Sequence, residues 1–268
     1  KTLPATNEIV DKCIECGFCE PTCPSNELTL TPRQRIIINR EISRLESIGN
    51  VKEAKEYKDL YQYDGIETCA TCSLCSTACP VKIDTGNLTK HLRAEQLTSK
   101  DKAIANYVAN NFSTTLTGIR FGLHSSNFIH KVLGTSKMES FTKTLRTISK
   151  NKTPKWSPTM PKAISINLNF EQKDSDKKIV YFPSCINRTM GLNSISKEDK
   201  ELFDITVELL QKAGYQIILP QNLSNLCCGM PFSSKGFNEA SNTKSSQLEI
   251  ALLNASEFGE YPILCDTS

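Results

Sequence analysis

Apolar positions recur at helical spacing through most of the first 150 residues. Ile38, Ile42, Leu45 and Ile48 lie three or four apart. Thr31 followed by Pro32 predicts an N-cap and a first helical residue, and Gly49-Asn50 predicts the stop. A second helix is predicted over 51–63, with Ala54, Tyr57 and Tyr61 on one face, closed by a turn at Asp64-Gly65. Asp84 is placed to cap a third, running to about Leu97. From 99 to 150 the pattern stays helical, with breaks predicted at Gly118, Gly122 and Gly134 and a stripe of Met138, Phe141, Leu145 and Ile148. Asn151 to Lys162 holds three prolines among polar residues and reads as a linker.

Beyond the linker the period changes. Lys178 to Phe182 is a short apolar run stopped by Pro183, and Tyr215 to Leu219 a second one stopped by Pro220. Tyr261 to Leu264 is a third. Helical spacing fills 197–213, up to Gly214, and 238–256. Strands alternating with helices predict a parallel α/β sheet, whose right-handed crossovers bring all strand C-termini to one edge. The expected architecture is therefore α+β and multidomain. A mainly helical domain spans 1–98, a basic helical region with its Pro-containing linker 99–163, and a truncated α/β domain 164–268.

Charge sharpens this division. The chain has 268 residues and a net charge of +3. From Leu88 to Ala163 there are 13 Lys/Arg against 3 Asp/Glu, while the remainder holds 19 against 26. A basic middle carrying Phe112, Phe121, Phe128, Phe141 and Trp156 suits an anionic membrane face or an acidic partner domain. No nucleic-acid recognition motif accompanies the charge. No run of about 18 apolar residues would cross a bilayer, and no secretory signal opens the chain; the reduced thiols that the cysteine spacing implies set the expectation of a cytoplasmic setting, with an optional peripheral contact at the inner membrane face. The start lacks Met and the end falls inside an apparent motif, so the sequence reads as a piece of a longer polypeptide.

The twelve cysteines carry the chemistry. Eight fall in two runs of the form C-x-x-C-x-x-C-x-x-x-C-P: Cys13, Cys16, Cys19, Cys23 and then Cys69, Cys72, Cys75, Cys79. Neighbours three apart make poor disulfides, and the chain is larger than most disulfide-framed domains. Zinc sites use pairs of Cys-x-x-Cys and have no use for a third Cys at the same step. Three evenly spaced thiolates can wrap one face of a 4Fe–4S cube, and in two-cluster ferredoxins the fourth Cys ligates the other cluster. The expected sets are Cys13, Cys16, Cys19 and Cys79 for one cluster, and Cys69, Cys72, Cys75 and Cys23 for the second. The 45 residues between Cys23 and Cys69 read as helices, so a mainly helical ferredoxin-like two-cluster domain is expected in place of a compact β-hairpin one. Glu15 and Glu20 flank the first run and Thr71, Ser73, Ser76 and Thr77 the second. Carboxylates lower a cluster's potential and hydroxyl donors raise it, so the second run's cluster is expected at the higher potential.

The other four, Cys185, Cys227, Cys228 and Cys265, follow the three predicted strands, at the edge where open α/β sheets hold their ligands. They are candidates for a further cluster or a zinc ion, for a redox dithiol, or for buried apolar filling. Gly134-Thr135-Ser136-Lys137 is no phosphate loop, no G-x-G-x-x-G occurs, and His91, His124 and His130 are scattered.

Cys185, Cys227-Cys228-Gly229 and Cys265 together resemble the cysteine-rich "CCG" domain of heterodisulfide reductases and of the iron–sulfur parts of glycolate, glycerol-3-phosphate and lactate dehydrogenases. That pattern ends in Cys-x-x-Cys and usually occurs twice; here Ser268 stands at its last position and there is no second copy. The first run, Cys-Ile-Glu-Cys-Gly-Phe-Cys-Glu-Pro-Thr-Cys-Pro-Ser, with Leu28-Thr29-Leu30-Thr31-Pro32-Arg33-Gln34-Arg35 after it, resembles the C-terminal iron–sulfur portion of bacterial FAD- and iron–sulfur-dependent D-lactate dehydrogenases. The resemblance implies an N-terminal FAD domain or subunit outside this chain, where D-lactate would be oxidised, and electrons relayed through two clusters to a quinone or another acceptor. It implies no catalytic residue here. A heterodisulfide-reductase-like subunit and a zinc-binding docking module are the alternatives.

Overall fold

The computed structural model describes residues 6–266 apart from 150–152, 154, 165, 169 and 172–173. Ser268 and part of the linker lie outside that set. About half of the protein is helical, with small sheets. It forms two compact units: residues 1–105 with 230–241, and residues 106–229 with 242–268.

In the first unit, α1 (Pro32–Ser47) begins as the sequence predicts. Thr31 accepts from the Gln34 backbone N–H while the Gln34 side chain accepts from the Thr31 backbone, a closed capping box ahead of Pro32. α2 (Val51–Tyr61) does not end in a turn at Asp64-Gly65; it widens into a π-helical segment, Gln62–Glu67. The reason is steric. The Tyr61 ring lies over Gly65, where a Cβ would sit 2.1 Å from it, and only a glycine admits that packing. After the short α3 (Leu74–Ala78), α4 (Thr85–Glu95) is capped by Asp84, whose carboxylate accepts from Gly86 N–H at 2.8 Å. Val10, Ile36, Ile83 and Leu88 make one core, and Ile42, Tyr61 and Ile66 a second. Residues of α9 (Met230–Ser233) and the start of α10 (Asn238–Ala255) complete the unit.

α5 (Ser99–Asn110) leads to α6 (Phe112–Leu133), which runs unbroken through Gly118 and Gly122, contrary to the predicted breaks. Both glycines face open space, and the ~1 kcal/mol each costs in a helix is spread over 22 residues. Gly134, at φ +75°, does end it. Of the predicted stripe on α7 (Thr135–Ile148), Met138 is buried while Phe141, Leu145 and Ile148 are exposed. The end of the linker is not free chain: β1 (Pro161–Ala163) pairs antiparallel with β3 (Met190–Asn193).

The three predicted strands form a parallel sheet in the order β4-β2-β5: Gln216–Ile218, Lys178–Phe182 and Ile263–Cys265. β2 is buried over four consecutive residues, as a central parallel strand should be. Ile179, Tyr181 and Ile217 pack with Phe203, Val207 and Leu210 of α8 (Leu202–Lys212), which starts five residues later than its spacing suggested. Phe182 packs with Leu223, Leu226 and Leu248.

Candidate metal centre

The two cysteine runs share one backbone feature. The residues on either side of the middle Cys are left-handed in both: Glu15 and Gly17 around Cys16 (φ 62° and 85°), Thr71 and Ser73 around Cys72 (φ 51° and 61°). Three of these four are not glycine, and the left-handed conformation is unfavourable for them. Such alternation curls successive N–H groups toward one side and makes an anion-binding nest.

The folded chain gathers the eight thiols into two cavities. Cys23, Cys69, Cys72 and Cys75 line one of about 150 Å³, walled by Pro24, Leu28, Pro32 and Ala70. Cys13, Cys16, Cys19 and Cys79 line the other, which holds only about 20 Å³. That is room for a water or so, and a cube there requires the thiols to part; Cys16 sits on the exposed rim. Thr85 lines both cavities.

Helix starts are aimed at both sites. The Arg33 backbone N–H, in the first turn of α1, points at the Cys19 thiol, and those of Thr85 and Gly86, in the first turn of α4, at Cys75. These N-termini favour negative charge. Burial still outweighs them for the bare thiols, raising Cys19 to about 11 and pushing Cys75 up as well. At neutral pH Cys19 therefore carries a proton that a ligated metal must displace, so metal loading gains as pH rises. Gly86 is required for close approach, since a Cβ there would sit 3.2 Å from Thr71 Cα.

Buried arginines hold the loops. Arg40, 3% exposed, donates to the carbonyls of Val10, Asp11 and Cys13 and pairs with Glu15 at 2.6 Å. Arg93 donates to the carbonyls of Ile66, Glu67 and Cys69, and to Ser234. Arg40 is the ninth residue of α1 and Arg93 the ninth of α4, each clamping the first Cys of the preceding run. Arg35, 1% exposed, reaches Cys23 Sγ at 3.8 Å while donating to Gly65 O, Ser25 Oγ and Thr68 Oγ1. None of the three was singled out from the sequence. The signal was present: the run, the helix and its ninth-position arginine occur twice.

The hydroxyls of the second run are placed differently from the sequence expectation. Ser73 donates to Asp84, Ser76 to Ser73 O and Thr77 to Leu74 O, so these three spend their protons on protein oxygens. Thr71 Oγ1 is buried with no hydrogen-bond partner, and Thr71 lines the larger cavity. The cavity thus offers four thiols, helix N–H groups and one unsatisfied hydroxyl. A 4Fe–4S cube, with thiolate-hungry irons and acceptor sulfides, fits that donor set.

In the second unit, Cys185 after β2, Cys227 and Cys228 in the loop after β4, and Cys265 at the last position of β5 come together. The Cys227 thiol hydrogen-bonds Cys185, and that bond with the Arg188 guanidinium holds Cys185 down to about 7 against burial; the same bond pushes Cys227 up. Burial, then Asp266, raises Cys265. Arg188 is 2% exposed and is fixed by the carbonyls of Pro183, Leu223 and Leu226. Asp266 accepts from Ser184 N–H and the Tyr181 hydroxyl, tying β5 to the loop that bears Cys185. Among the described residues, no three His, Cys, Asp or Glu side chains are gathered tightly enough to hold a single metal ion.

Residues 9–83 match the family model described as a 4Fe-4S dicluster domain. Over 92% of its length the chain is 22% identical to the probable glycolate oxidase iron-sulfur subunit of Bacillus subtilis (strain 168). The chain spans about half of that relative, 53% of it being covered. No solved structure matches the chain significantly. Residues 9–83 are thus similar to a 4Fe-4S dicluster domain, in a chain with weak similarity to a glycolate oxidase iron–sulfur subunit.

Proposed function

We propose that this chain is the electron-relay portion of an FAD-dependent 2-hydroxy acid dehydrogenase, with D-lactate as the substrate of its flavin partner. One observation carries the reading: two four-thiol cavities share a wall at Thr85, and each is completed by the last Cys of the other run. Cys13, Cys16, Cys19 and Cys79 would hold one cluster and Cys23, Cys69, Cys72 and Cys75 the other. When bound, these clusters supply one-electron storage and transfer. Oxidising a 2-hydroxy acid to the 2-oxo acid releases two electrons and two protons; the protons stay at the flavin site, and this chain accepts electrons singly. Its residues keep the two sites adjacent, aim helix N–H groups at the thiolates and fix the loops through Arg40 and Arg93. The relative's name points to the same substrate class, and the choice of lactate within it rests on the resemblance of the first run.

Anaerobic metal analysis tests the assignment. About eight irons per chain and no zinc is the expected result. Zinc with fewer than four irons would remove the relay, and iron beyond eight would place a third cluster at Cys185, Cys227, Cys228 and Cys265. The thiol-chemistry alternative draws on the same corner, where Cys185 is poised near neutrality beside two other thiols.

The electron acceptor is proposed to be a membrane quinone, approached through the basic middle. No helix among the described residues is long and apolar enough to cross a membrane. Phe121, Phe128 and Val132 of α6, at helical spacing, are exposed beside this excess of positive charge, as are Phe141 and Ile148 of α7. The protein is expected to sediment with anionic vesicles at low salt and to be released at high salt; no binding at low salt removes the membrane from the proposal.

A further inference from the structure

The two thiol sites differ in how their neighbouring cations are balanced. Beside Cys13, Cys16, Cys19 and Cys79, Arg33 pairs with Glu20 at 3.1 Å and Arg40 with Glu15 at 2.6 Å. Each positive charge there is answered by a carboxylate. Beside Cys23, Cys69, Cys72 and Cys75, Arg35 is almost completely buried, and among the described residues no carboxylate lies within ion-pair distance of it. It donates to the backbone carbonyls of Asp64 and Gly65, to the hydroxyls of Ser25 and Thr68, and to Cys23 Sγ. The corresponding fourth residue of α4 is Leu88, so the other site has no counterpart. Asp84, 3.7 Å from Cys75, opposes Arg35, but its oxygens already accept from Ser73 and from Gly86 N–H.

From this asymmetry we infer that Arg35 is the positioning residue that sets the cluster on Cys23, Cys69, Cys72 and Cys75 at the higher potential. Reduction adds negative charge to a cluster. A buried guanidinium hydrogen-bonded to one of its ligating sulfurs stabilises the reduced form, and low local dielectric strengthens the effect. The direction of electron flow inside the chain then follows: electrons settle on this site, away from the one flanked by Glu15 and Glu20. The Gly65 carbonyl that fixes Arg35 lies in the π-helical segment packed on Tyr61.

The inference rests on the two-cluster reading, and its test separates the two. The full chain, isolated anaerobically, is titrated by EPR as the unaltered protein and as Arg35→Gln, Arg35→Lys and Arg33→Gln. Arg35→Gln is expected to lower the higher midpoint by about tenfold in its equilibrium constant, about 59 mV for one electron. Arg35→Lys retains most of that midpoint, and Arg33→Gln leaves it in place. Both clusters present with the higher midpoint unmoved in Arg35→Gln overturns the inference while leaving the clusters standing. An unaltered protein with no iron overturns the cluster reading itself. Should Arg35→Gln lose its iron, Arg93→Lys protein grown on guanidino-15N arginine decides, because Arg93 is the other guanidinium beside this site. Poised so that only the higher-potential cluster is reduced, it should show 15N hyperfine coupling, and a spectrum without it rejects Arg35 as a neighbour of that cluster.

Discussion

Cys23→Ala is expected to empty the cavity of the opposite run and leave its own run loaded. Cys23 lines the cavity of Cys69, Cys72 and Cys75, whereas Cys13, Cys16 and Cys19 are completed by Cys79. Iron should fall from about eight to about four per chain. The remaining EPR signal should superimpose on that of Cys72→Ala, which damages the same site, and differ from that of Cys16→Ala. Cys79→Ala should behave in the mirror sense. A Cys23→Ala spectrum that matches Cys16→Ala would mean that each run keeps its own cluster. The effect is large because a thiolate ligand has no substitute nearby: the hydroxyl closest to Cys23, Ser25 Oγ at 3.1 Å, is already engaged by Arg35 and by Leu30 O.

Cys23 and Cys79 each line the cavity of the opposite run, so both runs contribute to each cavity, while the start of α1 faces Cys19 and that of α4 faces Cys75. Residues 24–31 and 80–84, between the last Cys of each run and the following α1 or α4, differ in length by three. That difference hides the internal repeat from a scan at fixed period, although run, helix and ninth-position arginine recur. Cap chemistry and strand periodicity were legible in the sequence because they are local: Thr31-Pro32, Asp84 and the three β runs all behave as written. The arginines were not, because a basic residue in an amphipathic helix reads as solvated. Only the fold shows that backbone carbonyls replace water around them: those of Asp64 and Gly65 around Arg35, of Val10, Asp11 and Cys13 around Arg40, and of Ile66, Glu67 and Cys69 around Arg93. Gly118 and Gly122 misled for the converse reason, since a glycine breaks a helix only where the backbone also turns left-handed, as at Gly134.

Residues 230–241 were assigned by pattern to the α/β region, and no periodicity could reveal that they pack within the first unit. Their importance there is testable at Gly236. It has φ +87°, and a Cβ would sit 2.6 Å from Ala94 N and 2.9 Å from Ala94 Cα, both backbone atoms of α4. The neighbouring Ser234 carbonyl accepts from Arg93, which also holds Cys69 O. Gly236→Ala therefore pays a left-handed cost of about 1–2 kcal/mol and an overpacking cost of about 1–3 kcal/mol. Gly49, in the same unit at φ +76° but with nothing within 4 Å, supplies the control: Gly49→Ala incurs the conformational cost alone. Denaturant unfolding of the two variants should place Gly236→Ala lower by about 1–3 kcal/mol. It should also lose iron faster to a chelator, because the strain falls on the turn of α4 that carries Arg93 while Gly86, at the other end of that helix, faces Cys75. Equal destabilisation by the two substitutions would show that the 234–236 segment merely rests against α4, and that the clamp on Cys69 does not depend on it.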